Sequence, residues 1–274
     1  MRIKTKEVKW HIIMLAIALI LTIPIVFAVS TSFKTMSEAY VNVLGLIPEH
    51  PTLDNYIQVF HQLPFLRIIL NTFIVAIIVT VFKTITSLLA AYSFVYFDYK
   101  GKNIIYFITI CTMFIPFTMT MIPNYLTISY FNLGDSLFGV ILPQLSDAMG
   151  IFLLRQSMRT IPYSIVEVAY LEKAGPIKIL KDIVIPLVQP ASISTGILFF
   201  INSWNEYVWP ILILKSRENY TLSLAVQTFV SQEAGTEFTV IMAVSVMAML
   251  PPLILYIVFQ KYIVNTFAQS GIKG

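Results

Sequence analysis

From Ile12 to Phe33 the chain carries no Asp, Glu, Lys or Arg. A helix of ~20 apolar residues is about as long as a bilayer's hydrocarbon core is thick. Inside that core every backbone N–H and C=O has to be satisfied within the protein, which leaves helices and closed barrels as the spanning structures. Five more runs of this kind follow, so the candidate spans are approximately His11–Phe33, Leu70–Phe94, Ile104–Ile122, Leu137–Leu154, Leu187–Leu214 and Val240–Phe259. The turn-punctuated alternation of a membrane barrel is absent. Mean hydropathy is +0.80 and 57% of residues are hydrophobic, against roughly 45–50% in soluble domains. The chain reads as an all-α polytopic membrane protein with six transmembrane helices.

Arg2, Lys4, Lys6 and Lys9 precede the first run, as in a secretory signal. That run is longer than the ~7–15 residues of a signal's apolar region and five others follow, so a retained helix is expected. Six spans put both termini on one side. Thirteen Lys and Arg fall on that side against four on the other, which by the positive-inside rule makes the termini cytoplasmic. The expected organisation is a cytoplasmic N-terminus (1–10), a first span (11–33), an external segment (34–66) and a core (67–274) with five spans and a cytoplasmic loop at about 156–185.

Several chemistries are not represented. The three His and the single Cys111 are scattered without metal-ligand spacing. The formal charge of +4 suits a basic membrane face and does not point to nucleic acid. No G-x-x-x-x-G-K-[ST] phosphate loop and no nucleophile–base motif occurs, so this chain is expected to be no enzyme and to hold no cofactor or metal.

Between the fourth and fifth runs lies a charged segment, "VEVAYLEKAGPIKILKDIVIPLVQP" (Val166–Pro190). "SIVEVAYLEK" strings helix formers with Ile165, Val168, Ala169 and Glu172 at helical spacing. "AGP" then stops the helix: Gly175 tolerates a left-handed C-cap, and Pro176 pushes its predecessor out of the α region. Pro176 can open a second helix running to Pro186. Two readings are open: a solvated connector lying on headgroups, or an element that seats in a groove of a soluble partner and passes its motion to the spans.

Glu167-Val168-Ala169, then Gly175, then Ile183-Val184-Ile185-Pro186 resembles the EAA loop of permease subunits of ATP-binding cassette importers. That pattern is Glu-Ala-Ala, two residues, Asp-Gly-Ala, then about nine residues to Ile-x-Leu-Pro. Val168 departs from it, and Glu172-Lys173 replaces Asp-Gly, with the glycine displaced to Gly175. "FLLRQSMRTIP" (Phe152–Pro162), "SWNEYVWPILIL" (Ser203–Leu214), "NTFIVAIIVTVFKTITSLLAAYSFVYF", "VIMAVSVMAMLPPLILYIVFQKY" and "QKYIVNTFAQSGIKG" extend the likeness to the carbohydrate-uptake branch, of maltose and glycerol-3-phosphate type. The resemblance implies a type I importer permease fold, paired with a second permease, an ATPase dimer that uses ATP and Mg, and an extracytoplasmic solute-binding protein. It assigns Glu167, Val168, Ala169, Glu172, Lys173, Gly175 and Pro186 to ATPase coupling, with Glu167 as polar anchor.

Polar groups inside spans are costly and therefore functional candidates. Gln144, Asp147, Asn202, Trp204 and Asn205 are the pathway candidates, having the hydrogen-bonding and aromatic character that sugars require. Packing between helices is the alternative for the fifth-run set. Lys83 is left to snorkel or to pair across a subunit interface. The segments Lys34–Leu66 and Lys215–Thr239 are expected to dock a binding protein. The rival functions are a secondary transporter, which calls for inverted repeats and a mid-membrane titratable relay, and a glycerol-3-phosphate importer, which favours Arg or Lys on the pathway.

Overall fold

The computed structural model describes residues 5–233 and 237–271. Arg2, Lys4 and Lys273 of the charge count, and Ala234–Thr236 of the second docking segment, lie outside these. Among the described residues the regular structure is helical, in chain order α1 (Thr5–Ser32), α2 (Met36–Val41), α3 (Asp54–Gln62), α4 (Phe65–Tyr96), α5 (Lys102–Cys111), α6 (Phe117–Tyr130) and α7 (Leu137–Ile141). Then come α8 (Ala148–Met158), α9 (Tyr163–Leu171), α10 (Pro176–Ile179), α11 (Ile185–Asn205), α12 (Val208–Ile213), α13 (Leu222–Glu233) and α14 (Phe238–Gly271). Among the described residues four stretches are long and apolar enough to cross a membrane, namely Val8–Ser32, Phe65–Tyr96, Pro176–Asn205 and Phe238–Lys261, and two bent pairs make six if each is one span.

The bent pairs are the third and fourth runs, which contain Pro116 and Pro143, residues that free a backbone carbonyl and permit a kink. The third turns through 99° between Phe114 and Phe117. Pro116 there is extended and caps α6, as expected of a residue that lacks an N–H and whose ring excludes the preceding turn. The fourth bends by 45° between Gln144 and Ala148. The fifth also differs from its expected bounds. The helix opened by Pro176 runs past Pro186 into the membrane span, through a π-helical stretch, Leu180–Val184, into α11. It then ends at Asn205, where Glu206 Oε1 accepts the N–H groups of Val208 (2.8 Å) and Trp209 (3.1 Å) and starts α12.

The chain divides into two compact units. The first comprises residues 1–66 and 225–251. In it α1 is exposed from Val8 to Val26, the surface a lipid-facing helix presents. Past its end the external segment is tied by polar contacts. Lys34 is fully buried, and its ammonium donates to the carbonyls of Asn42 (3.0 Å) and Gly45. The Asn55 amide donates to the Ser32 and Lys34 carbonyls, both at 2.8 Å, and accepts from the Thr239 hydroxyl.

The second unit comprises residues 67–224 and 252–274 and holds two apolar cores. One joins Val75, Val79, Ile128, Val140, Trp209 and Ile213. The other joins Ala91, Tyr92, Tyr96, Leu154, Met158, Val166, Ala169, Ile179, Val184 and Val188, and so extends from the spans into the charged loop.

Candidate functional site

The loop from Tyr163 to Pro186 is fixed to the spans by one face. Val166 and Ala169, one turn apart on α9, are buried with Ile179 and Val184 against α4 and α8. The buried stripe is thus rotated from the expected one, and Ile165 and Val168 are exposed. Tyr92 donates its hydroxyl to the Pro176 carbonyl (2.9 Å), and Tyr96 donates to that of Met158 (3.3 Å). The free face combines exposed Glu167 and Glu172 with apolar side chains: Leu171 is 83% exposed and Ile177 80%. Glu167 makes no side-chain hydrogen bond or ion pair among the described residues.

The break between α9 and α10 is a Schellman turn. The Lys173 N–H bonds the Tyr170 carbonyl (2.9 Å) and the Ala174 N–H that of Ala169 (3.0 Å), closing off helix carbonyls that would otherwise be orphans. The residue in the left-handed region is Lys173 (φ 60°), while Gly175 is extended (φ −71°, ψ 159°). The left-handed position therefore stays where the EAA pattern has its glycine, and the displaced glycine does not take it over. Downstream, Asp182 lies in the π stretch four residues before Pro186. The widened turn falls where a proline ring meets the carbonyl of residue i−4.

The second polar feature lies within the spans, at the break between α7 and α8. Asp147 caps α8, its Oδ1 accepting the Gly150 N–H (3.1 Å), and its Oδ2 lies 3.2 Å from Lys83 Nζ. The side chains are 26% and 14% exposed respectively. Lys83 Nζ also sits 5.4 Å from the centroid of the Phe199 ring, and the Thr86 hydroxyl lies 2.8 Å from the Phe82 carbonyl of its own helix and 3.1 Å from that of Leu145. Gly150 is closely packed, because a Cβ there would press on the Phe199 ring and on Ser87 Oγ, and one or both would have to shift.

The structure thus brings Asp147 to Lys83, which the sequence reading had left outside the pathway. The remaining candidates separate. Gln144 donates to the Val140 carbonyl of its own turn (2.9 Å). Trp204 is buried, stacked on Phe200 (5.6 Å, 23°) and edge-on to Phe73 (4.8 Å), whereas Asn202 and Asn205 are exposed. Besides Lys83, sequence reasoning missed Glu206 as a cap and Asp135 as a clasp. Asp135 accepts the N–H groups of Lys215 (2.9 Å) and Ser216 (3.0 Å) and the Ser216 hydroxyl, and its carbonyl accepts from Asn219 (2.7 Å). Burial pushes its carboxyl up, but these hydrogen bonds outweigh it and hold the group well below the usual carboxylate range.

Residues 83–269 match the binding-protein-dependent transport system inner membrane component family. The chain belongs to this family. It is similar to the sn-glycerol-3-phosphate transport system permease protein UgpE of Yersinia pestis bv. Antiqua (strain Antiqua), with 28% identity over 267 residues, or 95% of each chain. With the arabinooligosaccharides transport system permease protein AraQ of Halalkalibacterium halodurans it shares 28% over 261 residues, 94% of this chain and 93% of the other. Among solved structures, a chain of a bacterial ABC transporter involved in the import of the acidic polysaccharide alginate superposes with a TM-score of 0.81 at 25% identity, covering 96% of this chain and 99% of that one. The protein is thus a permease component of a binding-protein-dependent transport system, with the fold of a type I importer permease, and the secondary-transporter reading is set aside. The family match takes in the α9–α10 loop, the Lys83–Asp147 pair and α11.

Proposed function

We propose that this permease is one of two membrane subunits of an ATP-driven importer, and that its Tyr163–Pro186 loop is the seat of a cytoplasmic ATPase. The observation that carries this is the two-faced construction of the loop. One face is packed and hydrogen-bonded to α4 and α8. The other presents Glu167, Val168, Leu171 and Ile177 to solvent. An apolar patch of this kind, rimmed by charge, is a partner surface, and its rigid underside carries any displacement into the spans. Val168, Glu172 and Lys173 belong to the docking face. Ala169 acts from below as packing, while Gly175 and Pro186 shape the turn and the re-entry. ATP and Mg act on the partner, the termini and this loop are cytoplasmic, and an extracytoplasmic binding protein delivers the solute.

The solute we infer is a sugar or oligosaccharide. AraQ and the alginate transporter support a saccharide. The likeness to UgpE favours a second reading, a glycerol-3-phosphate importer. Against it, Lys83 is neutralised by Asp147, so the spans offer a phosphate no free cation at that point. Pathway roles go to Asp147, Asn202, Asn205 and Gln144, with Trp204 supporting from behind.

The experiment is purification of the tagged chain in mild detergent, followed by mass spectrometry of what accompanies it. The expected result is an ATP-binding cassette ATPase and a second multi-span permease, with ATPase recovery reduced in Glu167→Ala although membrane insertion is unchanged. Recovery of this chain alone from a preparation that still transports would refute the assignment.

A further inference from the structure

We propose that Lys83 and Asp147 form an electroneutral lining of the aqueous route through this permease, selecting uncharged, hydroxyl-rich solutes over free anions and cations. The inference rests on the importer reading above. Its first ground is depth. At 1.5 Å per residue, Lys83 stands about 27 Å from the Phe65 end of α4 and about 20 Å from the Tyr96 end, well inside the hydrocarbon zone. Ion pairs at such depth face a bundle interior, a water-filled cavity or a partner subunit and not lipid.

The second ground is the face on which the pair lies. The exposed apolar residues Leu70, Ile74, Ile77, Val81, Ile85 and Leu89 of α4 recur at helical spacing, with Phe82 at the margin, and form an apolar stripe for lipid or a partner subunit to cover. Lys83 is two residues from both Val81 and Ile85, about 200° around the helix. The exposed fraction of the pair, 14% for Lys83 and 26% for Asp147, therefore opens away from that stripe.

The third ground is chemistry. One ammonium proton of Lys83 serves Asp147 Oδ2, and Asp147 Oδ1 is committed to the Gly150 N–H. Further donor capacity on Lys83 and acceptor capacity on Asp147 remain. A sugar hydroxyl is donor and acceptor at once and can bond both ends of the pair. An anion gains the ammonium but meets the carboxylate, and a cation meets the reverse.

The test reads accessibility and charge without knowing the solute. Ser146, exposed and next to Asp147, is replaced by its near-isostere in Ser146→Cys, with Cys111→Ser removing the native thiol. The whole transporter is then treated in membranes with cationic trimethylammonium-ethyl and anionic sulfonatoethyl methanethiosulfonates. Both reagents should react, with a rate ratio within about threefold of that for a free thiol. Lys83→Gln should shift the ratio about tenfold towards the cationic reagent and Asp147→Asn about tenfold towards the anionic one. A position reached only by a lipid-soluble maleimide would overturn the proposal. So would a strong bias with the native pair in place, which is decisive even if the charge variants fail to assemble, and so would a ratio that neither substitution moves. A wrong solute assignment leaves these rates unchanged, so the two readings fail separately.

Discussion

The chain contains two helix breaks that solve the same problem by different means. The one between α9 and α10 lies outside the spans and is closed by backbone: two N–H groups return to the carbonyls of Tyr170 and Ala169, and a lysine accepts a left-handed conformation. The one between α7 and α8 lies within the spans and is closed by side chains. Asp147 caps the new helix and Lys83 neutralises the cap, with the Thr86 hydroxyl shared between the Phe82 and Leu145 carbonyls. Water satisfies whatever the outer turn leaves over. At the inner break water can reach only the face on which the pair opens, so the freed groups turned into the bundle need partners within the protein. One consequence is that the inner break is sensitive to substitution and the outer one tolerant, leaving the outer turn's surface free to be specified by a partner.

That contrast is broken first by Asp147→Ala, which removes a cap and leaves an ammonium unpaired. It should cost about 3 kcal/mol, most of it from the stranded charge, and appear as early loss of monodisperse protein on heating in detergent. Asp147→Asn keeps a capping oxygen and should lose less, the difference measuring the charge. Next, Gly150→Ala forces a methyl into Phe199 and Ser87 and should cost about 2 kcal/mol by the same assay. Equal tolerance at both positions would erase the distinction. At the outer break the sign reverses: Lys173→Gly relieves a left-handed lysine and should stabilise by about 1 kcal/mol.

The smallest effect sharpens the rule where it is weakest, because Asp135 lies outside the spans yet is held by side chains. Its carboxyl is held below the ordinary value of ~3.9. The stability it supplies is therefore present above that pH and is lost as pH falls below it. In Ser216→Ala the melting temperature should fall slightly at neutral pH, where the lost hydrogen bond acted on the carboxylate, and converge with that of the parent chain at low pH, so that the acid-dependent part of the profile shrinks.

The sequence was most legible where hydrophobicity alone decides. Six apolar runs and a charged, twice-helical loop can be read from residue type. The bends in the runs were only partly legible from proline: Pro116 stands at the 99° break and Pro143 just before the 45° one, but Pro24, Pro123 and Pro190 lie inside helices. A proline breaks a helix only where the neighbouring structure does not re-satisfy the freed carbonyl. Lys83 was misjudged for a related reason: its partner is 64 positions away, and only the packing of α4 against α8 brings them together. Gly175 misled through composition. The left-handed position follows from where α9 ends, at Leu171, and the Schellman bonds to Tyr170 and Ala169 place it at Lys173.

The most direct test of the coupling role is a photo-crosslinking amino acid at Leu171 in the assembled transporter in native membranes. The account predicts adducts with an ATP-hydrolysing subunit, lost when Glu167→Ala weakens its retention. Adducts with lipid alone, in membranes that still transport, would contradict it and make the loop a connector lying on headgroups.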